Sequence, residues 1–234
     1  FKMSSLVEVV AEIGINWEGD FELLSEMVNK SKDAGCNAIK LQAFERATCN
    51  NHPETDRLLR SSVTKDNIER IDGFAKNADI EWFCTPMYSD AVKFLEPFLK
   101  RFKIREIDAR ELVKGKTTGL IDKILETKKP IIASSENIPN KEIIIANLKW
   151  LYCIPKYPCD YTEIDFEKMK FFDGYSNHCP SISAPIDAVK NGAKIIEVHI
   201  TSDKTKEFID NNVSFDFNEL TQLVEEIRIL EKKL

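Results

Sequence analysis

The sequence lacks most of the features that mark specialised protein classes. No apolar run approaches the roughly 20 residues that span a bilayer. The opening FKMSSLVEVVAEIG has no basic flank, long apolar stretch or small-residue cleavage site of a secretory leader, so a cytoplasmic location is expected. There is no basic block: the net charge is −6, and the lysines are scattered through helix-like stretches, which argues against nucleic-acid binding. The six cysteines (Cys36, Cys49, Cys84, Cys153, Cys159 and Cys179) form no CxxC pair and no zinc-ribbon spacing. Cys36, Cys84 and Cys153 lie in or beside apolar runs, where a free thiol serves as a small core residue, so reduced thiols are expected rather than disulfides. The turn EIGINWEGD is not the GxGxxG of a dinucleotide fold. Low-complexity linkers, hinges and short-period repeats are missing, and the length of 234 residues fits one large α/β domain over residues 1–234.

What recurs is a short β-rich apolar run followed by an amphipathic stretch. The runs are VEVVAEIG (7–14), AIKLQAF (38–44), IEWFCTP (80–86), RFKIRE (101–106), PIIASS (130–135), WLYCIP (150–155), DGYSNH (173–178) and KIIEVHI (194–200). Helix-like segments such as FELLSEMVNKSKDAG, KDNIERIDGFAKNA, DAVKFLEPF, TTGLIDKILETK, FEKMKFF and ISAPIDAVKNG fall between them, and FNELTQLVEEIRILEKKL closes the chain. DAG and KNG place a glycine where a helix C-terminus needs one. Continuous apolar strands alternating with helices imply a parallel sheet covered by helices. Eight such units predict an α/β fold of the (β/α)8 TIM barrel type, with an open doubly wound sheet as the competitor. One unit is weak: ENIPNKEIIIANLK leaves little room for a helix, so either the fifth helix is a stub or the strand count is off by one.

A barrel's site forms at the C-terminal ends of its strands. Reading each run to its end collects Glu12, Lys40, Gln42, Thr85, Lys103, Asp108, Ser134, Ser135, Lys156, Tyr157, Ser176, Asn177, His178 and His199 on one rim. His178 and His199 fall on adjacent strand ends, roughly 4.8 Å apart. They could share a borderline divalent metal such as manganese, iron or zinc, or be two unrelated core histidines; position alone leaves both open. His52, in the polar loop CNNHPETD, is expected to be solvated. Lys40 and Lys103 lie inside apolar strands, where a lysine is costly to bury. They suit an anion pocket with Thr85, Ser134 and Ser176, a Schiff base, or an outward, snorkelling orientation. Glu12, Asp108 and Asp210 are candidates for acid–base work or for binding sugar hydroxyls. Glu197, just before His199, is expected to face away from the lumen and is left out of the site.

Several segments resemble, in order, those of the N-acetylneuraminate (sialic acid) synthase family. EIGINWEG is similar to EIGxNHxG, AGCNAIKLQAF to AGADAVKFQTF, and FCTPMYSDAVKFLE to STPFDxxSVDFLE; FKI matches outright. KPIIASSEN, YCIPKYP, GYSNHC and GAKIIEVHIT complete the series, from about Val9 to Ser214. The resemblance implies a TIM barrel that condenses phosphoenolpyruvate with N-acetylmannosamine or a related amino sugar, giving a 2-keto-3-deoxy acid and phosphate. It implies a divalent metal, manganese first and magnesium or another as options, on His178 and His199. By the same resemblance Lys40, Thr85, Lys103, Ser134 and Ser176 contact phosphoenolpyruvate, Glu12, Gln42, Tyr157 and Asp210 serve the sugar side, and Asp108 stands where the family has an acidic catalytic residue. This sequence departs from the family in REID (Arg105 to Asp108) for ASGE, in Glu136 for a glycine, in Pro155, in Trp17 for a histidine, and in a shorter loop from Glu45 to Lys65. The sequence ends after the last barrel helix, without the family's C-terminal antifreeze-like domain, so a homo-oligomer or a partner supplying that domain is expected. A related lyase or aldolase that does not use phosphoenolpyruvate, and a non-catalytic barrel binding a sugar acid, are the rival readings.

Overall fold

The computed structural model describes residues 6–233; the first five residues and Leu234, at the two ends of the expected domain, lie outside the described residues. Eight parallel strands close into a barrel, each paired with the next in sequence and the last with the first. They are β1 (Glu8–Glu12), β2 (Ala38–Ala43), β3 (Glu81–Pro86), β4 (Phe102–Ile104), β5 (Ile131–Ser135), β6 (Leu148–Tyr152), β7 (Gly174–Asn177) and β8 (Ile195–His199). The TIM-barrel expectation holds, and each of the eight apolar runs supplies one strand. These runs form strands because both faces of each strand are covered, one by the lumen and one by helices, so nearly every position is apolar or buried.

The surrounding helices are α1 (Phe21–Asp33), α2 (Thr55–Arg60), α3 (Ile68–Asn77), α4 (Ser89–Leu95), α5 (Glu106–Val113), α6 (Gly119–Glu126), α7 (Ser183–Lys190) and α8 (Phe217–Glu231). The longest of them start on side-chain caps. Asp20 accepts from the backbone N–H groups of Glu22 and Leu23 at the start of α1, and Asp216 forms a reciprocal capping box with Glu219 at the start of α8. After α1 and α7 the chain turns at Gly35 (φ 91°) and Gly192 (φ 102°), where the left-handed backbone favours a residue with no Cβ. Leu24, Met27 and Val28 of α1 and Leu220, Leu223, Val224 and Ile227 of α8 are buried in one continuous core.

Two segments differ from the sequence reading. FEKMKFF forms a 3-10 turn (Phe166–Phe171) rather than an α-helix. Between β5 and β6 there is no helix among the described residues, so the weak fifth unit lacks its helix and the strand count stands at eight. Two helices, α5 and α6, occupy the preceding β4–β5 connection, and α5 packs against β5.

Side chains two apart on a strand share a face, and this alternation layers the lumen. At the N-terminal end Arg101 pairs with Glu8 and Glu81, its guanidinium 4.4 Å from the centre of the Phe83 ring. Apolar side chains from several strands fill the middle. The C-terminal layer is polar.

Candidate active site

A cavity of about 750 Å³ opens at the C-terminal end of the barrel. Its floor consists of lumen-facing strand ends: Glu12 on β1, Lys40 and Gln42 on β2, Thr85 on β3, Lys103 on β4, Ser134 on β5, Ser176 on β7, and Glu197 and His199 on β8. His178, Tyr157 and Asp210 come from the loops after the strands, and the segment from Thr48 to Pro53 forms one wall.

Both lysines point inward and are almost fully buried, at 4% and 2% exposed, which excludes the snorkelling orientation. Lys40 Nζ lies 3.0 Å from Thr85 Oγ1, 3.1 Å from Glu12 Oε1 and 3.5 Å from Glu197 Oε1. Lys103 Nζ donates to both Glu197 oxygens, at 2.9 and 2.7 Å. Ser176 Oγ donates to Glu197 Oε1 at 3.2 Å, and Gln42 Nε2 to Glu12 Oε1 at 2.8 Å. Burial works against the Glu197 carboxylate, but the Lys103 and Lys40 ammonium groups more than offset it, so its pKa lies well below the ordinary value. Burial likewise opposes the Lys40 charge, and the two glutamates restore it. For Lys103 burial prevails and its pKa falls below the ordinary lysine value despite Glu197.

The two histidines sit with ring centroids 5.5 Å apart. Burial, then the neighbouring His199, pushes the His178 pKa down to about 3, so the ring is neutral. Its Nδ1 lies 2.6 Å from Ile154 O. In the neutral ring that nitrogen carries the proton, which leaves the other ring nitrogen as a lone-pair donor. His199 Nδ1 has no hydrogen-bond partner among the described residues and stands 3.5 Å from Asp210 Oδ2. Burial lowers the His199 pKa, and Asp210 more than reverses this. Asp210 is held in place by its backbone N–H donating to Asn16 Oδ1 at 3.3 Å. The Tyr157 ring lies 4.0 Å from that of His178.

Two neutral-capable imidazoles beside carboxylates suit a borderline divalent cation. Three buried polar atoms of the layer have no partner among the described residues: Glu12 Oε2, Ser134 Oγ and His199 Nδ1. Unsatisfied groups of this kind are rare in a finished core and mark places where a ligand or ordered water belongs. No group of three or more His, Cys, Asp or Glu side chains is gathered tightly enough to enclose a cation among the described residues. A metal here would therefore be held by the two histidines and complete its shell with water or substrate oxygens.

Eleven of the twelve residues to which the resemblance assigns a role line this one cavity, whereas Ser135, Lys156 and Asn177, also placed on the rim, do not. Nor does Asp108. It occupies the first turn of α5 and pairs with Arg105, Nε to Oδ2 at 2.5 Å. Glu106 lines the cavity in its place, because residues two apart on a helix point about 200° apart. Glu197 is the opposite correction. It is two residues from His199, not one, so the same alternation that turns His199 inward turns Glu197 inward as well. His52 is exposed at the cavity mouth, with Nδ1 accepting from the Glu54 N–H. Arg105, Glu106 and Cys153 also reach the lining; the two-residue step from Lys103 was a signal for Arg105.

A closed eight-stranded parallel barrel with a polar cavity at the strand C-termini has the architecture of TIM-barrel enzymes. The NeuB family model matches residues 27–234, and the chain belongs to the NeuB family. It is 27% identical to N,N'-diacetyllegionaminic acid synthase of Legionella pneumophila, over 97% of this chain and 72% of that one. It is also 27% identical to human N-acetylneuraminate-9-phosphate synthase, over 97% of this chain and 70% of that one. An N-acetylneuraminic acid synthetase from Leptospira borgpetersenii, crystallised with citrate, superposes with a TM-score of 0.85 at 24% identity, covering 98% of this chain and 85% of that one.

Proposed function

We propose that this chain is a sugar-acid synthase that condenses phosphoenolpyruvate with an N-acetylated amino sugar resembling N-acetylmannosamine, releasing phosphate and a sialic acid-like 2-keto-3-deoxy acid. The observation that supports this reading is the convergence of Lys40, Thr85, Lys103, Ser134 and Ser176 with His178 and His199 around one cavity; these are residues to which the resemblance to the synthases assigns a role. Sugar-acid synthases among the family's relatives support it.

In this reading the lysines and hydroxyls bind the enolpyruvate carboxylate and phosphate, and Glu12, Gln42, Tyr157 and Asp210 orient the open-chain sugar. The enolpyruvate C3 attacks the sugar aldehyde, water adds at C2, and phosphate leaves with cleavage of its C–O bond. A divalent metal at His178 and His199, manganese first, would act as a Lewis acid on the aldehyde oxygen. Buried free thiols at all six cysteines support a reducing, cytoplasmic setting. Self-association is part of the proposal.

A second reading, a related lyase or aldolase that does not use phosphoenolpyruvate, draws on one observation: Glu12, Glu197, Glu106 and Asp210 all line the cavity, an acidic lining for a substrate that carries both a carboxylate and a phosphate. The test is phosphate release from phosphoenolpyruvate with manganese and a panel of N-acetylated hexosamines and simpler aldoses, with His178→Ala and His199→Ala alongside. Release that needs both an aldose and the two histidines supports the synthase. No release from folded, manganese-loaded protein with any aldose rejects it.

A further inference from the structure

The acidic lining poses a problem that Arg105 answers. Lys103 is fully engaged by Glu197, and Lys40 is shared between Glu12 and Glu197. Both lysines can still donate to an incoming anion, but their charge is already met by glutamates, so a substrate with both a carboxylate and a phosphate calls for a further cation. Arg105 is the third cation of the lining. It continues the lumen-facing line of Lys103 two residues further along, and it forms the N-cap of α5, where the chain leaves the rim. Its side chain is about one-third exposed, and Asp108 holds it through Nε alone. The two terminal nitrogens make no hydrogen bond among the described residues. The adjacent Glu106 does not compete for that edge, because its carboxylate is held by Arg110.

A second observation falls beside it. The β4–β5 register pairs Ile104 with Ala133, and the residues that follow them, Arg105 and Ser134, both line the cavity. The Ser134 hydroxyl is 3% exposed and has no partner among the described residues. A hydroxyl and a guanidinium edge, each without a hydrogen-bond partner among the described residues, thus line the same cavity. A guanidinium edge binds two oxygens of a phosphate or carboxylate in parallel, which a lysine cannot do.

We infer that Arg105 is a further anion-contacting residue of this cavity, joining Ser134 and the lysines on the phosphate or carboxylate of the substrate, with Asp108 acting as the positioning residue that fixes the guanidinium. The inference rests on the synthase reading for the identity of the anion, and it replaces an acid–base role for Asp108.

The experiment is calorimetric titration of the full chain with phosphoenolpyruvate and, separately, with inorganic phosphate. Wild type is compared with Arg105→Ala, Arg105→Lys and Asp108→Asn, and melting curves check folding. Arg105→Ala should weaken phosphoenolpyruvate binding at least about tenfold. Arg105→Lys should recover part of the loss, because it keeps the charge and loses the fork. In turnover, Asp108→Asn should raise KM for phosphoenolpyruvate several-fold and leave kcat nearly unchanged, whereas a catalytic acid would show the reverse. Wild-type affinity in Arg105→Ala, or a kcat loss at constant KM in Asp108→Asn, overturns the inference and leaves the synthase reading standing. If phosphate binds in an Arg105-dependent way but phosphoenolpyruvate neither binds nor reacts, the anion contact of Arg105 stands and the synthase reading falls. If neither anion binds wild type, both fall.

Discussion

Burial pushes the Cys153 thiol from 9.0 up to about 12, although the residue lines the cavity, and it does the same to Cys36. At pH 8 only about one such thiol in ten thousand is a thiolate, the form that reacts. Iodoacetamide at pH 8 should leave Cys36 and Cys153 unlabelled in folded protein and label both in urea, as read by peptide mass; rapid labelling of folded Cys153 would contradict the burial. The sign for stability follows. The folded pKa lies above the unfolded one, so the contribution is fully present below pH 9 and is lost as pH rises from about 9 toward 12. Denaturation midpoints should therefore fall on that alkaline limb, and less steeply in Cys36→Ser. Glu197 is the corresponding case among charges. Replacing it with alanine leaves Lys103 buried without its carboxylate, which should cost about 3 kcal/mol in urea unfolding. A loss under about 1 kcal/mol would mean that the lysine relaxes to water.

At the scale of the element, β7 has no room for a side chain at Gly174. A Cβ added at Gly174 would stand 2.2 Å from Ile195 O and 2.8 Å from Leu151 Cδ2; neither the backbone oxygen nor the packed leucine can yield cheaply. Gly174→Ala should lose about 3 kcal/mol or more in chemical denaturation, or fail to fold, whereas Asp216→Ala at the α8 cap should lose about 1 kcal/mol. Element type was readable wherever covering is symmetric, since a strand buried on both faces is apolar throughout. It was unreadable where connections depart from the repeat. The chain from Glu136 to Asn147 carries three consecutive isoleucines yet forms no helix, and α5 begins at Glu106 in a stretch that looked like the end of a strand. That unseen helix start explains why Asp108 was placed in the site: sequence spacing fixes distance along a chain, but the change from strand to helix resets which way each side chain points.

Across the whole molecule, the closed sheet brings residues from Glu12 to Asp210 around one space, and this convergence was legible because every strand contributes its end to the same rim. The charge balance there was not legible. Whether a lysine meets a substrate or a glutamate depends on the facing strand's register, such as Glu12 opposite both Lys40 and His199, and one sequence does not carry that register. Metal binding to the folded state alone would stabilise the entire barrel. At a manganese concentration about 100 times Kd the gain is about 2.7 kcal/mol, which raises Tm by roughly 5–10 °C for a domain of this size. The same shift in a protein lacking both His178 and His199 would show that manganese binds elsewhere.

The central claim, that a carbon–carbon bond forms between phosphoenolpyruvate and an amino sugar, is tested most directly by the product itself. Folded protein is incubated with manganese, phosphoenolpyruvate carrying carbon-13 at all three carbons, and N-acetylmannosamine, and the mixture is resolved by mass spectrometry. A 2-keto-3-deoxy acid with all three labelled carbons attached to the intact sugar skeleton, formed together with one equivalent of phosphate and lost in His178→Ala, is the predicted result. Labelled pyruvate with unchanged sugar, or no labelled product from this sugar or any aldose of the panel, would contradict it.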